Sequence, residues 1–202
     1  MSRHPGVPIW VSVGDLADDR GRYEAVPSPL FWIKGNNENF DAIASGDLPD
    51  GLRFLNNGQL VEIDGLRVAG VGGTFAPTWY ETAASALPHP RKGTERATAL
   101  ADKRRHFVKE EVDRCKGFDR LDLFLSHEAA RPYRVRGKGP DAGKTPINEV
   151  LAAARPRLHL FGHHHELTDQ VRQGVRSIGL DLVSRSYLLL DEKTLDVEVH
   201  KA

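Results

Sequence analysis

The ten residues LHLFGHHHEL, Leu158 to Leu167, run an apolar stretch straight into a glycine and three consecutive histidines. LHLF has the length and apolarity of a buried strand, and its exit at Gly162 and His163 would deliver imidazoles to the carboxyl edge of a sheet, where α/β folds gather ligands. The same arrangement recurs. IWVSV at Ile9 to Val13 exits at Gly14 and Asp15, FWIKG at Phe31 to Gly35 exits at Asn36, and the run containing Leu121, Leu123, Phe124 and Leu125 exits at Ser126 and His127. Four apolar runs with polar ends predict an α/β fold whose strand ends converge.

The intervening segments are less regular. DLADDRGRYEAVPSP is polar and interrupted by proline, and reads as a short helix or a loop crossover. LVEIDGLRVAGVGG, Leu60 to Gly73, predicts a hairpin around Asp64-Gly65. A helical stripe spans Thr94 to Cys115 through Ala97, Leu100, Ala101, Phe107, Val108 and Val112, and a second helix spans Thr145 to Ala154. The tail predicts antiparallel strands at Gln170 to Arg176 and around a Tyr187 to Val199 hairpin.

The chain has 202 residues, a length suited to one domain, and 28 Lys plus Arg balance 28 Asp plus Glu. No whole-molecule field therefore draws it to nucleic acid or membrane, although a local basic patch leaves nucleic acid open. Cys115 is alone, which excludes an intrachain disulfide framework and assigns it to helix packing. No apolar run is long enough to span a bilayer and the opening residues lack a secretory signal, so the expected location is cytoplasmic.

Asp15, Asn36, His127, His163 and His165 make a mixed nitrogen and oxygen donor set, suited to Mn, Fe or Zn and unlike a thiolate site. If the chain stays extended through GHHH, His163 and His165 face one way and His164 the other; a turn would remove that parity. Taken alone, three histidines after a buried strand also describe a polar surface turn.

GDLAD at Gly14 to Asp18, GNNE at Gly35 to Glu38, SHEAARPY from Ser126 and GHHH at Gly162 to His165 together resemble the ordered motifs of the calcineurin-like metallophosphoesterases. The matches cover nearly the whole chain. The resemblance implies one domain over residues 1–202, a four-layer β-sandwich flanked by helices, and hydrolysis of phosphoric esters assisted by divalent cations. It implies that Asp15 bridges two metals, that Asn36, His127 and His163 complete the second site, and that His165 belongs to the first. Mn is the first expectation for the metal, with Fe and Zn as alternatives.

Two departures qualify this picture. The family opens with a DxH element that nothing before Ile9 reproduces, and His4 has no upstream Asp partner, so the expected sheet lacks its first strand. The first site would then keep only Asp15 and His165, and one ion is a firmer expectation than two. A second copy of the chain could cover the edge left by the missing strand. At Asn37 the family pattern has a histidine that contacts the scissile phosphate. An amide there can hydrogen-bond phosphate but cannot transfer a proton near neutral pH. A noncatalytic domain that binds a phosphate ligand or another protein, with one metal retained, is the alternative to an enzyme.

Other residues carry weaker signals. Arg131, Arg134, Arg136, Lys138 and Lys144 could neutralise a phosphate-bearing substrate or simply be solvated. Trp79 and Tyr80 suit a substrate wall or local core closure. Glu38 could orient His127 or a water, or pair at the surface. Asp18 suits loop support, and His89, His106, His159 and His200 suit packing or surface roles.

Overall fold

The computed structural model describes residues 6–90 and 101–202. A three-stranded parallel sheet contains β1 (Trp10–Ser12), β2 (Leu30–Trp32) and β3 (Leu52–Phe54) in that order. The six-stranded sheet contains β4 (Leu60–Ile63), β5 (Leu66–Val71), β6 (Leu123–Ser126), β7 (Leu158–Phe161), β8 (Thr168–Arg172) and β9 (Val175–Gly179), ordered β4-β5-β6-β7-β9-β8. Its centre is parallel and its two outer pairs are antiparallel. A hairpin of β10 (Ser186–Leu190) and β11 (Val197–Lys201) completes the sheets. The helices are α1 (Phe40–Ser45), α2 (Pro77–Tyr80), α3 (Lys109–Lys116) and α4 (Thr145–Ala154).

Strand alternation builds the layers. From β6, Phe124 joins the helix-side core with Val112, Cys115, Ile147, Val150 and Leu151, while Leu123 and Leu125 point into a second core with Val13, Ile33, Leu55 and Leu160. Residues of the hairpin, Leu188, Leu190 and Val197, pack on that second core. Leu30 and Trp32, on the opposite face of β2 from Ile33, pack with Leu52 and Ile43 of α1. The result is the expected multi-layer α/β sandwich flanked by helices. β6 and β7 are buried along their whole length, which explains why LFLS and LHLF lack polar alternation.

Within the described residues, β1 pairs only with β2, so its other side is an outer edge of the sheet. No described helix is long and apolar enough to cross a membrane.

Several local expectations hold. Asp64 and Gly65, both at positive φ, turn the β4–β5 hairpin, α4 spans its predicted range, and Cys115 is buried in α3. Residues 14–29 contain no helix; Asp18 instead closes a loop by accepting from the Arg20 and Arg22 amides, both at 2.8 Å, and from the Arg22 guanidinium.

Two expectations need correction. Ala97 and Leu100 of the long helical stripe, like His4, lie outside the described residues. In the described part, Lys103–Arg105 is a 3₁₀ turn, His106 and Val108 are extended, Phe107 and Val108 are buried, and α3 begins only at Lys109. Pairing of His106 with Thr74 pulls this segment straight, and the Glu111 carboxylate caps the new helix by accepting from the Val108 amide at 3.0 Å. The antiparallel strands expected at Gln170 to Arg176 extend further, from Thr168 to Gly179, as a hairpin in which Gln173 and Gly174 both adopt positive φ and reverse the chain between β8 and β9.

His159 ties β7 to its neighbours. The Ser126 hydroxyl donates its one hydrogen to the Glu128 carbonyl at 2.5 Å, so it accepts from His159 Nε2 at 2.8 Å; Nδ1 then accepts from the Ser177 hydroxyl at 3.0 Å. Burial lowers the His159 pKa to about 3. In the unfolded chain this imidazole binds a proton below about pH 6.5, whereas in the fold it stays neutral down to about 3. Its contribution to stability is therefore complete above pH 6.5 and is lost as pH falls, at about 1.4 kcal/mol per unit. Urea unfolding at pH 7 and pH 5 is expected to show wild type losing about 2 kcal/mol more than His159→Gln between the two pH values. Equal losses would remove His159 as the source.

Candidate metal centre

Four strand exits meet at one place. His127 follows β6, and its backbone is clamped on both sides: its amide donates to the Val71 carbonyl at 3.2 Å and its carbonyl accepts from the Gly162 amide at 3.2 Å. The neighbouring β5 and β7 thus hold the residue in register with the GHHH turn. Asp15 and Asn36 arrive from β1 and β2 on turns that approach each other closely at Gly14 and Gly35.

The ligand atoms of Asp15, His127 and His163 lie within 4.8 Å of one another. His127 is buried, whereas Asp15 and His163 are partly exposed. Hydrogen bonding fixes the His127 tautomer. Nδ1 lies 2.7 Å from the Val13 carbonyl, an acceptor only, so Nδ1 carries the proton and the neutral ring presents a lone pair at Nε2. That lone pair faces Asn36 Oδ1 at 3.0 Å, His163 Nδ1 at 3.1 Å and Asp15 Oδ2 at 3.6 Å. A lone pair facing an amide oxygen and a carboxylate is unfavourable by itself and becomes favourable around a cation. The donor set therefore fits a single divalent ion.

Burial keeps the imidazoles ready for that role. It lowers the basicity of His127, against the raising effect of the Asp15 carboxylate. It brings His163 down to about 4, helped by the charges of His127 and His164, with Asp15 opposing and Lys144 contributing less. Both rings are neutral at pH 7.

The GHHH segment is a turn. His163 and His165 have φ of 66° and 51°, so the parity of an extended strand does not apply. The turn directs His163 to His127, their ring centroids 4.8 Å apart. His164 packs on Tyr133 at 4.6 Å, and His165 is exposed and outside the three-residue cluster. Asp15 shares the left-handed conformation at φ 56°. Such backbone costs of order 1–3 kcal/mol per residue and persists where surrounding contacts enforce it, commonly at functional sites.

Asn37 is exposed and turned toward Asp15. Its amide N–H donates to Asp15 Oδ1 at 2.8 Å and its side-chain NH2 to Oδ2 at 3.3 Å. Glu38 reaches neither His127 nor a surface cation. It accepts from the Gly35 amide at 3.0 Å, the Leu16 amide at 3.2 Å and the Tyr23 hydroxyl at 3.0 Å. Burial raises its pKa to about 7, against the lowering effect of these bonds.

The basic loop divides into separate roles. Arg131 pairs with Asp141 at 2.9 Å and the Arg134 guanidinium donates to the Gly139 carbonyl at 2.7 Å. Lys144 pairs at 3.3 Å with Glu128, whose other oxygen accepts from the Phe75 amide. Tyr80 stacks edge-on against Phe75 at 5.1 Å, which is the core-closing role.

No family model matches the chain. An uncharacterized protein of Haemophilus influenzae is 24% identical over 151 residues, 68% of this chain. The chain spans 62% of that relative's length. One solved structure superposes with a TM-score of 0.57 and 10% identity, over 87% of this chain and 66% of its own. TT1561 of Thermus thermophilus superposes with a TM-score of 0.51 and 18% identity, over 86% of this chain and 72% of its own. At these identities the likeness is one of fold. The chain is a multi-sheet α/β protein, consistent with a metallophosphoesterase-like superfamily fold, that carries a partial metal-binding cluster of Asp15, His127 and His163.

Proposed function

We propose that this chain is a calcineurin-like, metal-dependent phosphoric ester hydrolase, one domain over residues 1–202, working with one divalent ion. The observation that carries the reading is the convergence of the His127 Nε2 lone pair, Asn36 Oδ1, His163 Nδ1 and Asp15 Oδ2 on one point. Asp15, Asn36, His127 and His163 would hold the ion, with His165 available from the exposed side of the turn. Mn is the first choice for this donor set, and Fe or Zn the alternatives. A divalent ion supplies charge at the phosphoryl oxygens and makes a nearby water more acidic.

The chain's own residues define the rest. The Val13 carbonyl orients His127, and burial keeps both imidazoles unprotonated. Asn37 holds Asp15 and has no proton to give to a leaving group. Activated esters are therefore the better substrates. The physiological partner is a phosphate-bearing molecule, nucleic acid included, and the setting we favour is cytoplasmic, with a second copy covering the outer edge of β1.

Hydrolysis of an aryl phosphate and an alkyl phosphate by the Mn-loaded protein tests this reading. The aryl ester is expected to turn over and the alkyl ester much more slowly. Asn37→His is expected to raise the alkyl rate by roughly 10²-fold and the aryl rate far less. The engagement of Asn37 with Asp15 favours one second reading, a noncatalytic domain for a phosphate ligand or a protein. Phosphate-dependent stabilisation without turnover of either ester would select it.

A further inference from the structure

Glu38 is not one of the three clustered ligands, yet it collects backbone donors from both metal-bearing turns. Its Oε1 accepts from the Gly35 and Leu16 amides at 3.0 and 3.2 Å, and Oε2 accepts from the Ala17 amide at 3.4 Å and the Tyr23 hydroxyl at 3.0 Å. Gly35 directly precedes Asn36, and Leu16 and Ala17 directly follow Asp15. Asp15 reciprocates, since its Oδ1 accepts from the Asn37 amide at 2.8 Å. Each turn thus supplies a carboxylate that binds the other's backbone. Tyr23 extends the brace: its hydroxyl oxygen accepts from the Asn39 amide at 3.1 Å, at the cap of α1.

We propose that Glu38, supported by Tyr23, is a positioning residue that sets the separation of Asp15 and Asn36 and thereby the affinity of the metal centre. This role rests on the metal-site reading above. Neither turn belongs to a strand or helix, so no backbone ladder fixes their spacing. Asp15 also stands in an unfavourable left-handed conformation, which relaxes unless neighbouring bonds enforce it. A carboxyl group whose oxygens accept several backbone N–H groups from two segments is a stiff link between them.

The test compares Glu38→Ala, Glu38→Gln and Asp15→Asn in the full chain, with Mn affinity and amide hydrogen exchange as the two readouts. Glu38→Ala is expected to weaken Mn binding by about 10- to 100-fold, the scale seen when outer groups that orient ligands are removed. Glu38→Gln keeps one oxygen for the Gly35 and Leu16 amides and turns its NH2 toward the Tyr23 oxygen, losing the longer bond from the Ala17 amide, so it is expected to recover part of that affinity. Exchange at Leu16, Ala17 and Gly35 is expected to accelerate in metal-free Glu38→Ala while the β6 amides stay protected. Wild-type affinity in Glu38→Ala, or equal losses in Ala and Gln, would overturn the proposal. Acceleration of the β6 amides to the same degree would also overturn it, because Glu38 would then be an ordinary stability residue. If Asp15→Asn leaves Mn binding unchanged, the metal reading and the affinity role fall together. Local exchange alone would then show whether the brace between the turns exists.

Discussion

Asp15→Asn is expected to weaken Mn binding by more than about 100-fold, exceeding the losses typical of outer-sphere changes, and to abolish metal-dependent ester hydrolysis. Asparagine is the informative replacement for a structural reason. Asp15 stands at φ 56°, a conformation that Asp and Asn tolerate and that alanine tolerates poorly. An asparagine also keeps an oxygen that can accept from the Asn37 amide, now bonded at 2.8 Å. What it removes is the negative charge. Around the His127 Nε2 lone pair the other donors, Asn36 Oδ1 and His163 Nδ1, are neutral, so Asp15 supplies the only anionic ligand atom of the cluster. Titration calorimetry with Mn, alongside thermal melting of the metal-free protein, checks the result. A variant that melts like wild type and no longer binds Mn is expected, and Mn binding within a few-fold of wild type would sink the site.

The chemistry-bearing residues were legible because each follows an apolar strand. Asp15, His127 and His163 could be predicted to converge once IWVSV, LFLS and LHLF were read as strands with exits on one edge, and the structure brings these three together. The orientation of His165 was not legible. A turn through GHHH was an open alternative to the extended strand, and histidine is among the residues that adopt positive φ, but residue identity did not say which ring the turn would leave exposed. The bonds of Glu38 were hidden for another reason, as they reach the Leu16 and Ala17 amides 22 and 21 residues away, across a long irregular loop and β2. Some misses had signals. Asn39 and Gly46 bracket Phe40 and Ile43 as N-cap and left-handed C-cap of α1, and Gln173-Gly174 is a turn pair set between alternating residues. Tertiary pairing decided the start of α3, where Thr74 holds His106 extended against the helical periodicity of the sequence.

Gly35→Ala is the second large effect, and it separates close approach from conformational need. Gly35 has an ordinary φ, so alanine there meets no backbone penalty. Its added Cβ would instead overlap Asp15 Oδ1 and the Asp15 backbone nitrogen. A side chain could rotate away, but a backbone atom moves only with its turn, and this turn is held by Glu38 and by the Asn37 amide. Gly14 gives no relief from the other side: its Cβ direction meets Gly35 Cα at 2.6 Å and its φ is 107°. Pushing the turns apart strains both and separates Asp15 from Asn36. A loss of about 3 kcal/mol in stability is expected, the upper range for overpacking, together with loss of Mn binding. Gly117→Ala is the matched control, because its Cβ would approach nothing nearer than the Arg114 carbonyl at 3.4 Å. Urea unfolding of the two variants, with Mn titration of each, should find Gly117→Ala near wild type in both respects. A Gly35→Ala protein that is stable and still binds Mn would mean that the two turns are not packed as closely as Gly14 and Gly35 require.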